Sequence, residues 1–197
     1  MSQTTATLSL VALACAGILT STTARGADPR PAEPKTVKGM TLGLGLHRMQ
    51  DDFGTTAAVG SPLFGGDAVR LTLSGGVSWF PHDMQDNEQR WTTYGHVKLA
   101  FEGGARIPGS PIRIYGTGAP MMMFLPSRLS DNKVRIGGAG GFGFEFIQRQ
   151  TTGDDFPMSY FFEAGGVGTG ATAEKVVGKP IVGNGFYMNV GFRAYLW

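Results

Sequence analysis

Residues 184–197, NGFYMNVGFRAYLW, decide how the rest of the chain is read. Phe186, Met188, Val190, Phe192, Ala194 and Leu196 are apolar, and Tyr187, Asn189, Gly191, Arg193 and Tyr195 alternate with them. A period of two over this length predicts a β-strand with one apolar and one polar face. The pattern runs to the last residue of the sequence.

Outward from this strand the same alternation recurs. Residues 40–49 set Leu42, Leu44 and Leu46 against Thr41, Gly43, Gly45 and His47. Residues 67–80 set Val69, Leu71, Leu73, Val77 and Trp79 against Arg70, Thr72, Ser74 and Ser78. In 91–102, Val97, Leu99 and Phe101 oppose Tyr94, His96, Lys98 and Glu102; in 111–124, Ile112, Ile114, Met122 and Phe124 oppose Arg113 and Tyr115. In 133–148, Val134, Ile136, Phe142, Phe144 and Phe146 oppose Arg135, Gly141 and Glu145. In 157–169, Met158, Tyr160, Phe162 and Ala164 oppose Ser159, Glu163 and Gly165, with Phe161 breaking the polar side.

Composition points the same way. Charged residues make up 16% of the 197, below the usual quarter. Mean hydropathy is nevertheless near zero, and no apolar run approaches the roughly 18 residues of a membrane helix. Alternating transmembrane strands average out in this manner. The 31 glycines and 11 prolines disfavour helices. A net charge of +2 gives no basis for nucleic-acid binding. The single cysteine, Cys15, lies in the leader, so disulfides and Cys-ligated metals are not expected in a processed chain.

The C-terminal stretch resembles the closing strand of a bacterial outer-membrane β-barrel, with a polar–x–Gly–x–x–apolar–x–apolar signal at Asn189, Gly191, Ala194 and Leu196, and Trp197 one residue beyond it. Together with the strand alternation, it makes residues 39–197 similar to small OmpA/OmpX-like barrels. That resemblance implies an all-β, eight-stranded antiparallel up-and-down transmembrane β-barrel, inserted among outer-membrane lipids by the barrel assembly machinery. Such barrels have an even number of strands and both termini on the periplasmic side. The seven alternating segments above therefore need one more strand, and 54–62 (GTTAAVGSP) is the only candidate for it. This topology places 50–53, 81–90, 125–132 and 170–183 outside the cell and makes 63–66, 103–109 and 149–156 periplasmic turns.

Upstream, 8–19 (LSLVALACAGIL) followed by Ala24-Arg25-Gly26 reads as a cleaved signal peptide over 1–26, although residues 1–7 carry no Lys or Arg. A lipoprotein reading would use Cys15 after Ala12-Leu13-Ala14. Residues 27–38 (ADPRPAEPKTVK) read as an extended, proline-rich periplasmic linker.

The polar face decides which side meets lipid. In a soluble barrel it would be dense in Lys and Glu; here it is mainly Gly, Ser, Thr and Tyr with scattered charges. Arg70, Lys98, Arg113, Arg135 and Arg193 are expected to pair in a plugged lumen with Glu102, Glu145 and Glu163. Eight strands leave room for side chains and not for a wide pore. For chemistry, Gly138, Gly140 and Gly143 match G-x-G-x-x-G, but alternation continues through Phe144–Phe146, so no helix follows to hold a phosphate. His82 and Asp83, in a predicted outer loop with Asp86 and Glu88, are the candidate acid–base pair. No His is followed two residues later by Ser, as the lipid A deacylases of this form require. No cofactor or metal is expected. The leading expectation is a monomeric, non-enzymatic outer-membrane protein acting through its loops. A lipid-modifying enzyme with a site at the outer rim, and a secreted soluble barrel binding an apolar ligand, stand as alternatives.

Overall fold

The computed structural model describes residues 39–66, 68–83, 88–148 and 157–196. The predicted leader and linker, Cys15, Asp86 and Trp197 lie outside these residues, as does the whole of the predicted turn 149–156. The barrel strands are β1 (Met40–Met49), β2 (Asp52–Gly60), β3 (Val69–Asp83), β4 (Gln89–Arg106), β5 (Ile112–Phe124), β6 (Val134–Ile147) and β7 (Met158–Gly168). After two short strands, β8 (Ala171–Thr172) and β9 (Ile181–Val182), the chain returns as β10 (Gly185–Leu196).

Neighbours in sequence pair antiparallel around the wall, and β10 closes it by pairing with both β7 and β1. The molecule is thus an all-β, eight-stranded antiparallel closed β-barrel, as the alternation predicts. The extra strand required by parity exists: β2 pairs with β1 from Asp52 to Gly60 and with β3 from Phe53 to Gly60. Small residues (Gly54, Thr56, Ala58) on its inner side explain why its own hydrophobic pattern is faint.

The two barrel ends differ. At the turn end the described connecting residues are 61–66, 68, 107–111, 148 and 157. Gly65 and Gly66 there take φ of 62° and 71°, a left-handed region open to glycine at no steric cost. At the loop end β1 and β2 are joined by Gln50–Asp51 alone, while 125–133 and 169–184 are longer.

Three expected loops are shorter than read, the first being 50–53, of which Asp52 and Phe53 belong to β2. At both ends of the expected outer loop 81–90 the described residues are strand, since Pro81, His82 and Asp83 pair with Trp91, Arg90 and Gln89. Proline is tolerated there because β2 has ended by Phe53↔Trp79, leaving Pro81 on an open edge. Similarly, β4 runs on to Arg106 opposite Arg113, where the turn 103–109 was expected. Within the wall, β4 and β5 keep one register from Lys98↔Met121 to Phe101↔Gly118, yet Leu99–Pro120 and Ala100–Ala119 are unpaired. Pro120 has no N–H to offer β4, and its other side remains paired with Gly138.

The barrel is apolar on its outer face and polar over much of its interior. Leu42, Leu44, Leu73, Leu99, Phe101, Ile136, Phe142, Tyr160 and Phe186 are exposed on the outside. Among outward positions of the eight barrel strands, the only Asp, Glu, Lys or Arg residues are Arg48 and Asp83, both at the loop end. The buried charges all face in.

Candidate functional site

Alternation sends every second residue of each strand into the lumen, where they form three layers. Nearest the turn end is a charge network. Glu145 receives Arg70 at 3.2 Å and Arg193 at 3.4 Å. Glu102 receives Arg193 at 2.8 Å, Arg113 at 3.6 Å and Arg70 at 3.7 Å. Glu163 receives Arg193 at 3.3 Å and Lys98 at 3.9 Å. Hydroxyls supply further donors: Ser159 to Glu145 (2.7 Å), Thr72 to Glu102 (2.8 Å) and Tyr115 to Glu163 (2.9 Å). Burying an ion costs several kcal/mol unless partners and hydrogen bonds surround it, and here each carboxylate has both.

Aromatic faces complete the enclosure. Arg193 stacks on Phe161 at 4.6 Å and Arg113 on Tyr115 at 5.0 Å, while Lys98 lies 4.8 Å from the Tyr187 ring centre and donates to its hydroxyl at 3.1 Å. Phe161, the residue that interrupts the polar side of its strand, is therefore the platform for an arginine. Gly191 makes room for it, since a Cβ there would meet the Phe161 ring and the backbone of β1.

Between this network and the loop end lie further polar contacts, some of which reach into the loop-end layer. His47 Nε2 and Ser78 Oγ are 2.8 Å apart, and His47 meets His96 edge-on at 4.9 Å between ring centres. The Tyr94 hydroxyl donates to Asp52 Oδ2 at 2.6 Å, and the Gly183 N–H donates to the same oxygen at 3.1 Å.

The third layer, at the loop end, is apolar. Met49, Phe80, Tyr94, Met121, Met123 and Val167 from the wall pack with Leu125 and Leu129 of 125–133 and with Ala171, Ala173, Val176 and Val182 of 169–184. These two loops form a lid, latched on its outer side by Glu174. Its carboxylate accepts from Ser130 (2.9 Å), the Asp131 N–H (3.2 Å), Asn132 (3.2 Å) and Arg135 (3.3 Å). Those hydrogen bonds, led by that from Ser130, hold the Glu174 carboxyl below the ordinary carboxylate range. Lys175 adds an ion pair to Asp131 and a hydrogen bond to the Ser127 carbonyl.

The structure thus brings Arg70, Lys98, Glu102, Arg113, Glu145, Glu163 and Arg193 together. Arg135 stands apart from them: its partner is Glu174 of the lid. Asn189 and Gly191 face the lumen, while Ala194 and Leu196 take the outward parity of β10. His82 and Asp83 are not brought together, because adjacent strand residues point to opposite faces. His82 is buried, bonded to the Phe80 carbonyl (3.1 Å) and the Thr92 hydroxyl (3.4 Å) and stacked on Phe80, whereas Asp83 is exposed. Sequence reasoning missed Asp52, Phe161, Tyr187 and Tyr195 as members of the interior network. For Phe161, Tyr187 and Tyr195 inward parity was the available signal, whereas Asp52 fell in the predicted outer loop 50–53. Among the described residues no three His, Cys, Asp or Glu side chains gather as a metal site.

No protein-family model matches this chain, and neither a curated protein nor a solved structure does. The fold and interior alone define its class: a closed eight-stranded antiparallel β-barrel with a polar, charged network buried inside.

Proposed function

We propose that this chain is an integral protein of the bacterial outer membrane, exported through a cleaved signal peptide and acting as a rigid, plugged barrel that presents its loop end to the cell exterior. The observation that carries this reading is the outer wall, apolar on every strand and free of charge except for Arg48 and Asp83 at one rim. Water would not tolerate such a wall on a monomer, since apolar patches beyond a few hundred Å² mark a contact surface. In hydrocarbon it is what a strand requires, and the closed hydrogen-bonded ladder leaves no open edge. The 9 to 18 residues of the barrel strands meet or exceed the roughly 9–11 tilted residues needed to cross.

In this reading outer-membrane lipids contact the wall, and the assembly machinery recognises Asn189, Gly191, Ala194 and Leu196 with Trp197 during insertion. The barrel works as a monomer and carries no catalytic role. His82, the weak candidate for catalysis, is enclosed and turned away from Asp83, which favours support over enzymology. Secretion as a soluble carrier of an apolar ligand fits less well, because the lumen wall is polar over most of its length and its apolar end is filled by the lid. Fractionation tests the proposal. The protein is expected in the outer membrane, released only by detergent; extraction into water without detergent contradicts it. His82→Ala is expected to leave the lipid A mass pattern unchanged, and a changed pattern would restore the enzymatic alternative.

A further inference from the structure

Between the charge network and the histidine pair the lumen is not quite filled. A void of about 20 Å³ lies against Gly45, Thr56, Ser74, Lys98, Glu163 and Asn189. Asn189 is 7% exposed and donates through Nδ2 to Glu163 at 3.4 Å, but its Oδ1 has no partner among the described residues. That oxygen points at Gly45, one of the void's walls: a Cβ on Gly45 would sit 2.7 Å from it. On the same void, the Lys98 ammonium has three protons to place; it donates one to the Tyr187 hydroxyl at 3.1 Å and stands 3.9 Å from the Glu163 carboxylate, an ion-pair distance.

We propose that this void is a binding site for a single buried water, which donates to Asn189 Oδ1 and accepts from Lys98 Nζ. Size and charge together select the ligand. The space holds about one water and no larger species. Lys98 and Arg193 repel a cation, and Glu102 and Glu163 repel an anion. What remains is a small neutral molecule that both donates and accepts. The hydroxyls of Thr56 and Ser74 on the same wall offer it further partners, and a buried water typically makes about three hydrogen bonds. The Arg193–Glu102 pair lines the void on its turn-end side. This inference is independent of the membrane reading, since it depends only on the lumen.

A high-resolution crystal structure, with water–protein nuclear Overhauser effects on the Asn189 side-chain amide, tests it. The expected result is one ordered peak within hydrogen-bond distance of both Asn189 Oδ1 and Lys98 Nζ, a water cross-peak to the amide protons, and loss of the peak in Asn189→Leu. Empty density, or Lys98 Nζ reaching Asn189 Oδ1 directly across the void, would overturn it. If Asn189→Leu does not fold, the wild-type density and cross-peak decide alone.

Discussion

Arg193 shows how much a single side chain carries in this lumen. It contacts Glu102, Glu145 and Glu163 and stacks on Phe161. Arg193→Met leaves three carboxylates short of a partner, and breaking a buried ion pair from one side costs about 3–5 kcal/mol. Urea unfolding of the barrel in detergent is expected to show a loss of that order; a loss below about 1 kcal/mol would mean the network behaves like a solvated surface. The glycines under the aromatic rings make the opposite demand. A Cβ on Gly143 would enter the Tyr115 ring, so Gly143→Ala is expected to destabilise by about 1–3 kcal/mol through overpacking, read in the same unfolding assay. Most inward charges were legible in the sequence because strand parity assigns each residue a face. Which carboxylate meets which arginine was not, because partners such as Arg70 and Glu145 come from strands that share no ladder, and their meeting depends on barrel stagger. Arg135 illustrates the limit. Its parity is inward, but it stands near the loop end, where the lid's Glu174 is the nearer partner.

At the scale of elements, the lid and the β4–β5 seam are the parts most open to test. Glu174 is held below its ordinary range by hydrogen bonds in the folded state. Its contribution is thus present above the unfolded carboxylate's range and is lost as the pH falls through the depressed value. Hydrogen exchange in 169–184 is expected to quicken on acidification, and Glu174→Ala is expected to quicken it at neutral pH while the barrel strands keep their protection. Equal exchange in the variant and wild type would remove Glu174 as the latch. In the wall, Pro120→Ala gives β5 an N–H toward β4. The amides of 99–101 are expected to exchange more slowly in this variant, and unchanged exchange would mean that Pro120 does not cause the gap. The lid could not be read from 125–132 and 170–183, whose residues have no period. Nor could the reach of β3 and β4 beyond Phe80 and Trp91, since Pro81 signals a break unless it is known to lie on an edge. Strand β2 was legible only through the parity of the whole, because its inward side chains are small.

At the scale of the whole molecule, the proposed function is that of a membrane-spanning plug, with an apolar outer face and a polar interior. A sealed lumen, stopped by ion pairs at one end and by an apolar lid at the other, predicts no ion conductance when the protein is placed in planar bilayers. Steady single-channel steps would contradict the sealing without touching the fold. The central claim is the combination of barrel and membrane, and heat-modifiable migration of the membrane fraction in SDS gels addresses both together. Unboiled protein from that fraction is expected to run as a compact species that shifts to its full apparent mass only after boiling. A protein that appears in the soluble fraction, or whose migration is the same with and without boiling, would contradict the account.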